Sequence, residues 1–245
     1  MPIKVAAIIC AAGSSTRFGG SRKKTFVDVD GRAAFLRSIE LFADHSDVKQ
    51  VIMAISKEDD EIVRLKWGAN LSFHGVKLCF GGQERCETVA NALKLVRDDI
   101  GLVAIHDAAR PCLTKDWLDA VLKEATRTEA AILACPVVAT LKKVENKTIV
   151  GTVDRTSLYE AQTPQVFSFA LLKKAYADLP NIDKKKISDD SQLIEAMGHK
   201  VAIVETDSSN IKITTKADVA IAEAIIKSRP KPKQAYTGPF DEAQW

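Results

Sequence analysis

Two rhythms of apolar and polar residues take turns along this chain. The run "IKVAAIIC" (3–10) is apolar except for one lysine, the pattern of a strand buried on both faces in a parallel sheet. In "RAAFLRSIELF" the residues Phe35, Leu36, Ile39 and Phe42 fall at helical spacing, and "VKQVIMAIS" (48–56) returns to the strand pattern. The exchange continues with a charged helix near 58–67, strand "VKLCF" (76–80), helix "ERCETVANALKLV" (84–96), strand "LVAIH" (102–106), helix "TKDWLDAVLKEAT" (114–126) and strand "AAILACPVV" (130–138). Strand and helix in alternation predict a doubly wound, mostly parallel α/β sheet, whose ligands bind outside the carboxyl ends of the strands.

The rhythm breaks at 139–165. "ATLKKVENKTIVGTVDRTSLYEAQTPQ" holds short β-prone pieces about a polar turn at Glu145-Asn146-Lys147 and has no helical period, which predicts a hairpin arm projecting from the domain. Helices near 168–179 and 190–198, a strand "KVAIVE" (200–205) and a helix over 216–228 complete the pattern, the last opened by Thr215 and Asp218 as an acidic capping box. The stretch 229–245 carries three prolines and no period, and is expected to be a flexible tail behind a single domain of residues 1–228.

Charge and cysteine content narrow the setting. With 35 Lys+Arg against 32 Asp+Glu the formal charge is +3, too even for a general nucleic-acid or membrane-surface partner, so a basic site has to be local. Five cysteines stand singly, with no C-x-x-C pair, and indicate neither a disulfide framework nor a zinc site. The first apolar run, about nine residues, is too short to span a bilayer and no cleavage pattern follows it. A cytoplasmic protein without a secretion signal is expected.

Five segments carry candidate chemistry. "AAGSSTRFGGSRKKTF" (11–26) follows the first strand with three glycines, four basic residues and no acid, which suits phosphate oxygens held by backbone N–H groups and cations. It matches neither the Walker A nor the dinucleotide pattern, and taken alone it is better read as a solvated loop with incidental lysines, so the other segments have to decide. "HDAARP" (106–111) puts Asp107 at a strand's carboxyl end, where a carboxylate holds a divalent cation or a ribose hydroxyl, or else caps a turn with Arg110 as its partner. His106, a lone histidine beside an apolar strand, is expected to be a hydrogen-bonded structural residue. In "GGQERCETV" (81–89) Gly81 and Gly82 permit close approach, with Arg85 and Thr88 on the following turns placed for a base or ribose, or Arg85 merely solvated. "VDRTSLYEAQTPQ" (153–165) carries Arg155 and Thr163, and "NIKITT" (210–215) reads as a strand with Lys212 among apolar neighbours, a pattern also seen where a lysine snorkels from an edge.

In this order the segments resemble the 2-C-methyl-D-erythritol 4-phosphate cytidylyltransferases, from about residue 5 to residue 228. The resemblance implies a Rossmann-like nucleotidyltransferase fold and a reaction of CTP with methylerythritol phosphate that releases pyrophosphate. It also implies a homodimer whose β-arms cross to the partner's site. By the same resemblance Ala11, Ala12 and Gly13 belong to the CTP loop, and Arg17 and Lys24 neutralise charge at the α-phosphorus. Gly82 and Thr88 face the cytosine, while Asp107 and Ala108 face the ribose and a Mg²⁺ or other divalent ion. Arg155 and Lys212 grip the acceptor phosphate, and Arg110, Thr140 and Thr163 line the acceptor pocket. The chain departs from the family in having Lys23-Lys24-Thr25-Phe26 for the usual Pro-Lys-Gln-Tyr, which leaves Lys23 as a second candidate for the catalytic lysine, and Thr88 for the usual Ser. Two other readings stand beside this one: a ribitol-5-phosphate cytidylyltransferase, which the acceptor would reveal, and a non-catalytic nucleotide-binding protein of the same fold.

Overall fold

The computed structural model describes residues 3–13, 15, 18–19 and 23–230. Strand β1 (Val5–Cys10) leads to a one-turn 3₁₀ helix (Lys24–Phe26), a small hairpin of β2 (Asp28–Val29) and β3 (Arg32–Ala33), and helix α1 (Ala34–Ala43). Then come β4 (Val48–Ile55), a 3₁₀ turn (Lys57–Asp59), α2 (Asp60–Phe73), β5 (Lys77–Phe80), α3 (Arg85–Leu93), β6 (Leu102–Asp107), α4 (Lys115–Thr128) and β7 (Ala130–Pro136). β8 (Leu141–Glu145) and β9 (Thr148–Val153) form a separate hairpin, followed by β10 (Tyr159–Ser168), α5 (Phe169–Ala177), α6 (Ser191–Ala196), β11 (Ala202–Glu205) and α7 (Ala217–Ser228).

Seven strands make the main sheet in the order β11-β7-β10-β6-β1-β4-β5. β10 runs antiparallel to both neighbours, and the remaining pairs are parallel. The unbroken apolar run of β1 has a direct cause. Val5, Ala7 and Ile9 pack with Phe35, Ile39 and Phe42 of α1 and Leu118 of α4, whereas Ala6 and Ile8 pack on the other face with Val89 of α3, Leu172 of α5 and Ile194 of α6. Successive side chains of a strand point to opposite faces, so a strand covered by helices on both sides has no position left for a polar residue without a buried partner. Each large side chain buried here contributes about 1.5–3 kcal/mol.

The chain leaves β1 for β4 on one side and returns to β6 on the other, with Cys10 and Asp107 as ladder partners at the carboxyl ends. Such a reversal of strand order opens a crevice at the strand ends. A third apolar cluster, of Phe18, Ala109, Cys112, Ile213 and Ala222, fastens α7 and the segment before it beside that crevice.

Several expected boundaries move. The helix expected near 58–67 runs on to Phe73, through Gly68. The expected hairpin exists, with its turn at Asn146 and Lys147, both at positive φ (49° and 64°), as a two-residue type I′ connection requires. It is shorter than 139–165, because Tyr159–Ser168 is a strand inside the main sheet. Its polar letters hide it: Gln165 is fully buried, yet its side chain bonds Asp189 and the backbone N–H groups of Asp190 and Ser191. The ladder to β7 is interrupted between Ala161 and Gln165, where the Thr163-Pro164 peptide is cis. The segment 210–215 is not a strand, since its one sheet-like tie is the Ile213 N–H to Ala109 carbonyl bond at 2.8 Å. Of the expected capping box, Asp218 supplies its half, accepting the N–H groups of Thr214 and Thr215 at 2.7 Å each. The tail beyond residue 230 lies outside the described residues.

Candidate active site

A cavity of about 560 Å³ occupies the crevice. Its walls are the loops that leave the carboxyl ends of four strands: Cys10, Ala12 and Gly13 after β1, residues 56–58 after β4, residues 81–85 after β5, and Asp107 and Ala109 after β6. Lys23, Lys24 and Thr25 close one side and Lys212 another. The described lining carries five cations, Lys23, Lys24, Lys57, Arg85 and Lys212, against Glu58, Glu84 and Asp107. That balance suits a polyanion.

The glycines after β5 are required by close approach. A Cβ on Gly81 would collide with the Cβ of Ala12, and one on Gly82 with the Cβ of Glu87. α3 then starts with a reciprocal capping box in which Glu87 Oε2 accepts the N–H of Glu84 at 3.1 Å. The Thr88 hydroxyl accepts the Gly82 N–H at 3.1 Å and donates to the Glu84 carbonyl at 3.3 Å, so it fixes the shape of this loop.

Asp107 is the electrostatic centre. Arg85 Nε donates to its Oδ1 at 3.1 Å and Lys212 Nζ to its Oδ2 at 2.5 Å. Burial alone would raise the carboxyl pKa, but Arg85 and Lys212 outweigh it and hold Asp107 well below the usual carboxylate range. Arg85 is in turn gripped by the buried Asp190 (Nη1 to Oδ2, 2.6 Å), which also accepts the Tyr176 hydroxyl at 2.5 Å. Burial works against the Arg85 charge, and Asp190 and Asp107 more than restore it. The same burial pushes the Cys10 thiol up to about 12, which makes it inert as a nucleophile.

Below Asp107 a hydrogen-bonded chain fixes its backbone. The Asp107 N–H donates to Thr163 Oγ1 at 3.0 Å, Thr163 Oγ1 meets His106 Nδ1 at 3.1 Å, and His106 Nε2 meets the Arg110 carbonyl at 3.2 Å. A carbonyl only accepts, so Nε2 carries the ring proton and Nδ1 receives the hydroxyl of Thr163. Burial lowers the His106 pKa to about 4, keeping the imidazole neutral, in keeping with a structural role.

Of the residues singled out in the sequence, Ala12, Gly13, Lys24, Gly82, Thr88, Asp107 and Lys212 line one cavity. Ala11 and Ala108 are fully buried beside it. Arg17 lies outside the described residues. Arg110, Thr140, Arg155 and Thr163 are not among the residues that line this cavity. Arg110 holds the Asn210 and Ala161 carbonyls, at 2.6 and 3.4 Å, and Thr163 is buried under Asp107. Thr140 and Arg155 are exposed at the foot of the hairpin, where Arg155 Nη1 donates to the Val138 carbonyl. Lys23, the alternative to Lys24, is committed to Ser56 and Asp59. Nothing local in the sequence distinguishes Asp190 from the acids beside it.

The described residues contain no group of three or more His, Cys, Asp or Glu side chains that could hold a metal. Asp107 stands at the end of β6 with Arg85 and Lys212 on its two oxygens, and is not grouped with the other lining acids, Glu58 and Glu84. That fits a magnesium ion that arrives on phosphates and keeps most of its waters, and does not fit a protein-built cage.

The family model described as IspD, 2-C-methyl-D-erythritol 4-phosphate cytidylyltransferase, matches residues 5–228. The chain belongs to this cytidylyltransferase family. A family member from Endomicrobium trichonymphae is 42% identical over 231 residues, covering 92% of this chain and 100% of its own. A 2-C-methyl-D-erythritol 4-phosphate cytidylyltransferase from Rhodopirellula baltica is 39% identical, with 91% and 94% covered. Among solved structures, the 2-C-methyl-D-erythritol 4-phosphate cytidylyltransferase of Thermus thermophilus superposes with a TM-score of 0.76 at 31% identity, covering 92% of this chain and 100% of that one. The 4-diphosphocytidyl-2C-methyl-D-erythritol synthase of Anaerococcus prevotii does so with 0.79 at 27%, covering 92% and 97%. The cytidylyltransferase fold is thus the Rossmann-like sheet described above. No helix among the described residues is long and apolar enough to cross a membrane.

Proposed function

We infer that the chain joins CTP and 2-C-methyl-D-erythritol 4-phosphate into 4-diphosphocytidyl-2-C-methyl-D-erythritol and pyrophosphate, by in-line attack of the acceptor phosphate on the α-phosphorus of CTP. The observation that carries this reading is the cation-lined cavity at the strand-order reversal, in a chain that matches the family over residues 5–228. The attacking oxygen is already anionic near neutral pH, so no strong base is needed. The tasks are to bring two anions together and to neutralise the charge that builds between them.

Backbone groups of Ala11, Ala12 and Gly13 would face the triphosphate, with Arg17 and Lys24 directed at the α-phosphorus. Gly82 and the loop shaped by Thr88 would receive the cytosine, and Asp107 and Ala108 the ribose side. Lys212 and Arg155 would take the acceptor phosphate, with Thr140 beside Arg155. Arg110 and Thr163 are assigned to support, holding the Asn210 carbonyl and the Asp107 backbone. A divalent cation such as Mg²⁺, carried by the phosphates with Asp107 as its protein carboxylate, would supply charge neutralisation.

A homodimer belongs to the same reading. The hairpin of β8 and β9 exposes Val144, Ile149, Val150 and Val153, and a two-stranded hairpin is marginal without a surface to lie on. A partner's arm would bring Thr140 and Arg155 to the cavity. Cytoplasmic residence is part of the proposal, in keeping with five free cysteines.

The test is pyrophosphate release with CTP and Mg²⁺, run with methylerythritol phosphate and with ribitol 5-phosphate. Release with the first alone is expected. Release with the second alone would move the chain to another acceptor, and CTP binding without release from either would reduce it to a nucleotide-binding protein.

A further inference from the structure

We propose that Lys23, Ser56 and Asp59 form a positioning clamp for the turn that carries Lys24, so that Lys23 serves the reaction through Lys24 and not by touching the nucleotide. The proposal rests on the nucleotidyltransferase reading above. Lys23 Nζ donates to Ser56 Oγ at 2.7 Å and to Asp59 Oδ2 at 2.6 Å, and Ser56 Oγ donates to the same carboxylate oxygen at 2.7 Å. The three groups close a triangle across the mouth of β4, with the Lys23 and Asp59 side chains only 22% and 11% exposed. At that burial a carboxylate needs its partner, and a lysine so engaged has little freedom to follow a phosphate.

The triangle holds one end of a short turn. The Phe26 N–H donates to the Lys23 carbonyl at 3.0 Å, closing the 3₁₀ turn over Lys24 and Thr25. At the far end the Phe26 ring stacks on Trp67, centroids 5.3 Å apart, and meets Phe35 edge-on at 5.6 Å. Between these anchors the Lys24 N–H donates to Ser15 Oγ at 3.2 Å, tying the turn to the loop after β1. Lys24 itself lines the cavity.

The side of the turn away from the cavity is not filled. A second cavity, of about 510 Å³, lies there among Phe26, Leu36, Ile62 and Trp67, and Lys23 belongs to the walls of both. Packing therefore does not hold residue 23 from behind, and the polar triangle carries that task. A shift of about 1 Å in a charge aimed at a transition state costs on the order of a hundredfold in rate.

The experiment compares Lys23→Met, Asp59→Asn, their double mutant and Lys23→Arg with the parent, by steady-state kinetics and by amide hydrogen exchange of the 23–26 segment without ligand. Lys23→Met and Asp59→Asn should each lower kcat at least tenfold with the KM for CTP changed less than threefold, and the double mutant should be no worse than either. Lys23→Arg, which keeps both partners, should stay within threefold of the parent. Exchange at Phe26 should quicken at least tenfold in Lys23→Met and Asp59→Asn alike. Loss of activity in Lys23→Met with parental activity in Asp59→Asn would overturn the clamp and make Lys23 a direct phosphate ligand. Unchanged exchange in both would overturn it as well. A parent that releases no pyrophosphate would instead sink the nucleotidyltransferase reading, and the exchange data would still decide whether the triangle holds the turn.

Discussion

Lys212 Nζ meets Asp107 Oδ2 at 2.5 Å across 105 residues of sequence. The contact is made by a backbone bond one residue on, Ile213 to Ala109, which draws the 210–215 segment against the end of β6. A cation assigned to the acceptor thus shares a carboxylate with Arg85 on the nucleotide side of the cavity.

Lys212→Ala should raise the KM for the acceptor by about tenfold or more and leave CTP affinity within a few fold, since Arg85 still accompanies Asp107. Arg155→Ala should behave in the same way. Lys24→Ala should instead lower kcat on the order of a hundredfold, as expected for a charge felt chiefly in the transition state. Initial-rate kinetics with each substrate varied separates the two patterns, and parental turnover in Lys24→Ala would refute its role.

Asp190 is buried and holds both Arg85 and Tyr176. Removing one partner of a buried ion pair costs about 3–5 kcal/mol because the other charge is stranded. Asp190→Ala should lose stability of that order in chemical denaturation, whereas Tyr176→Phe, which removes one hydrogen bond to a charged group, should lose only about 1–3 kcal/mol. Equal, small losses would show that Arg85 finds another partner.

His106 gives the fold an acid-side slope. Its pKa is depressed from 6.5 to about 4, so between those values the unfolded chain binds a proton that the folded chain refuses. Stability from this group is complete above pH 6.5 and falls as the pH drops towards 4, by about 3 kcal/mol in all. Asp107, whose pKa is also lowered, adds a loss only below its ordinary value of 3.8. His106→Gln, which retains a donor for the Arg110 carbonyl and does not titrate, should flatten unfolding free energy over pH 4–6.5. An unchanged slope would place the titration elsewhere.

Sedimentation at micromolar concentration should give a dimer, and removal of 141–153 with a short turn in its place should give a folded monomer with little transferase activity. A parental protein that sediments as a monomer would contradict the role given to the hairpin.

β1, β4 and β6 were legible because the stretches covered on both faces are apolar runs, Val5–Ile9, Val51–Ile55 and Leu102–Ile105, and the glycine loop after β1 announced itself by its charges. β10 was not. Gln162 is satisfied by Thr206 and Asn210, and Gln165 by residues 189–191, partners some 24 to 48 residues away that no local pattern can display. Arg85 stood in the sequence as a group for a base or ribose, or as a solvated one. Only the fold brings Asp107 and Asp190 to it, and with them its fixed position. Lys212 read as part of a strand, whereas a single backbone bond and the packing of Ile213 place it.

β10 begins with Tyr159, pairs with β7 from there, and passes Thr163 beneath Asp107 where that ladder is interrupted. The backbone that a second subunit would grasp is therefore continuous with the backbone that seats the catalytic pocket's central carboxylate. A strain applied at the hairpin has ten residues of covalent chain, from Val153 to Thr163, and then one hydrogen bond, from the Asp107 N–H to the Thr163 hydroxyl, to cross before it reaches Asp107. Agents that pry subunits apart and agents that fill the pocket would act on two ends of one lever.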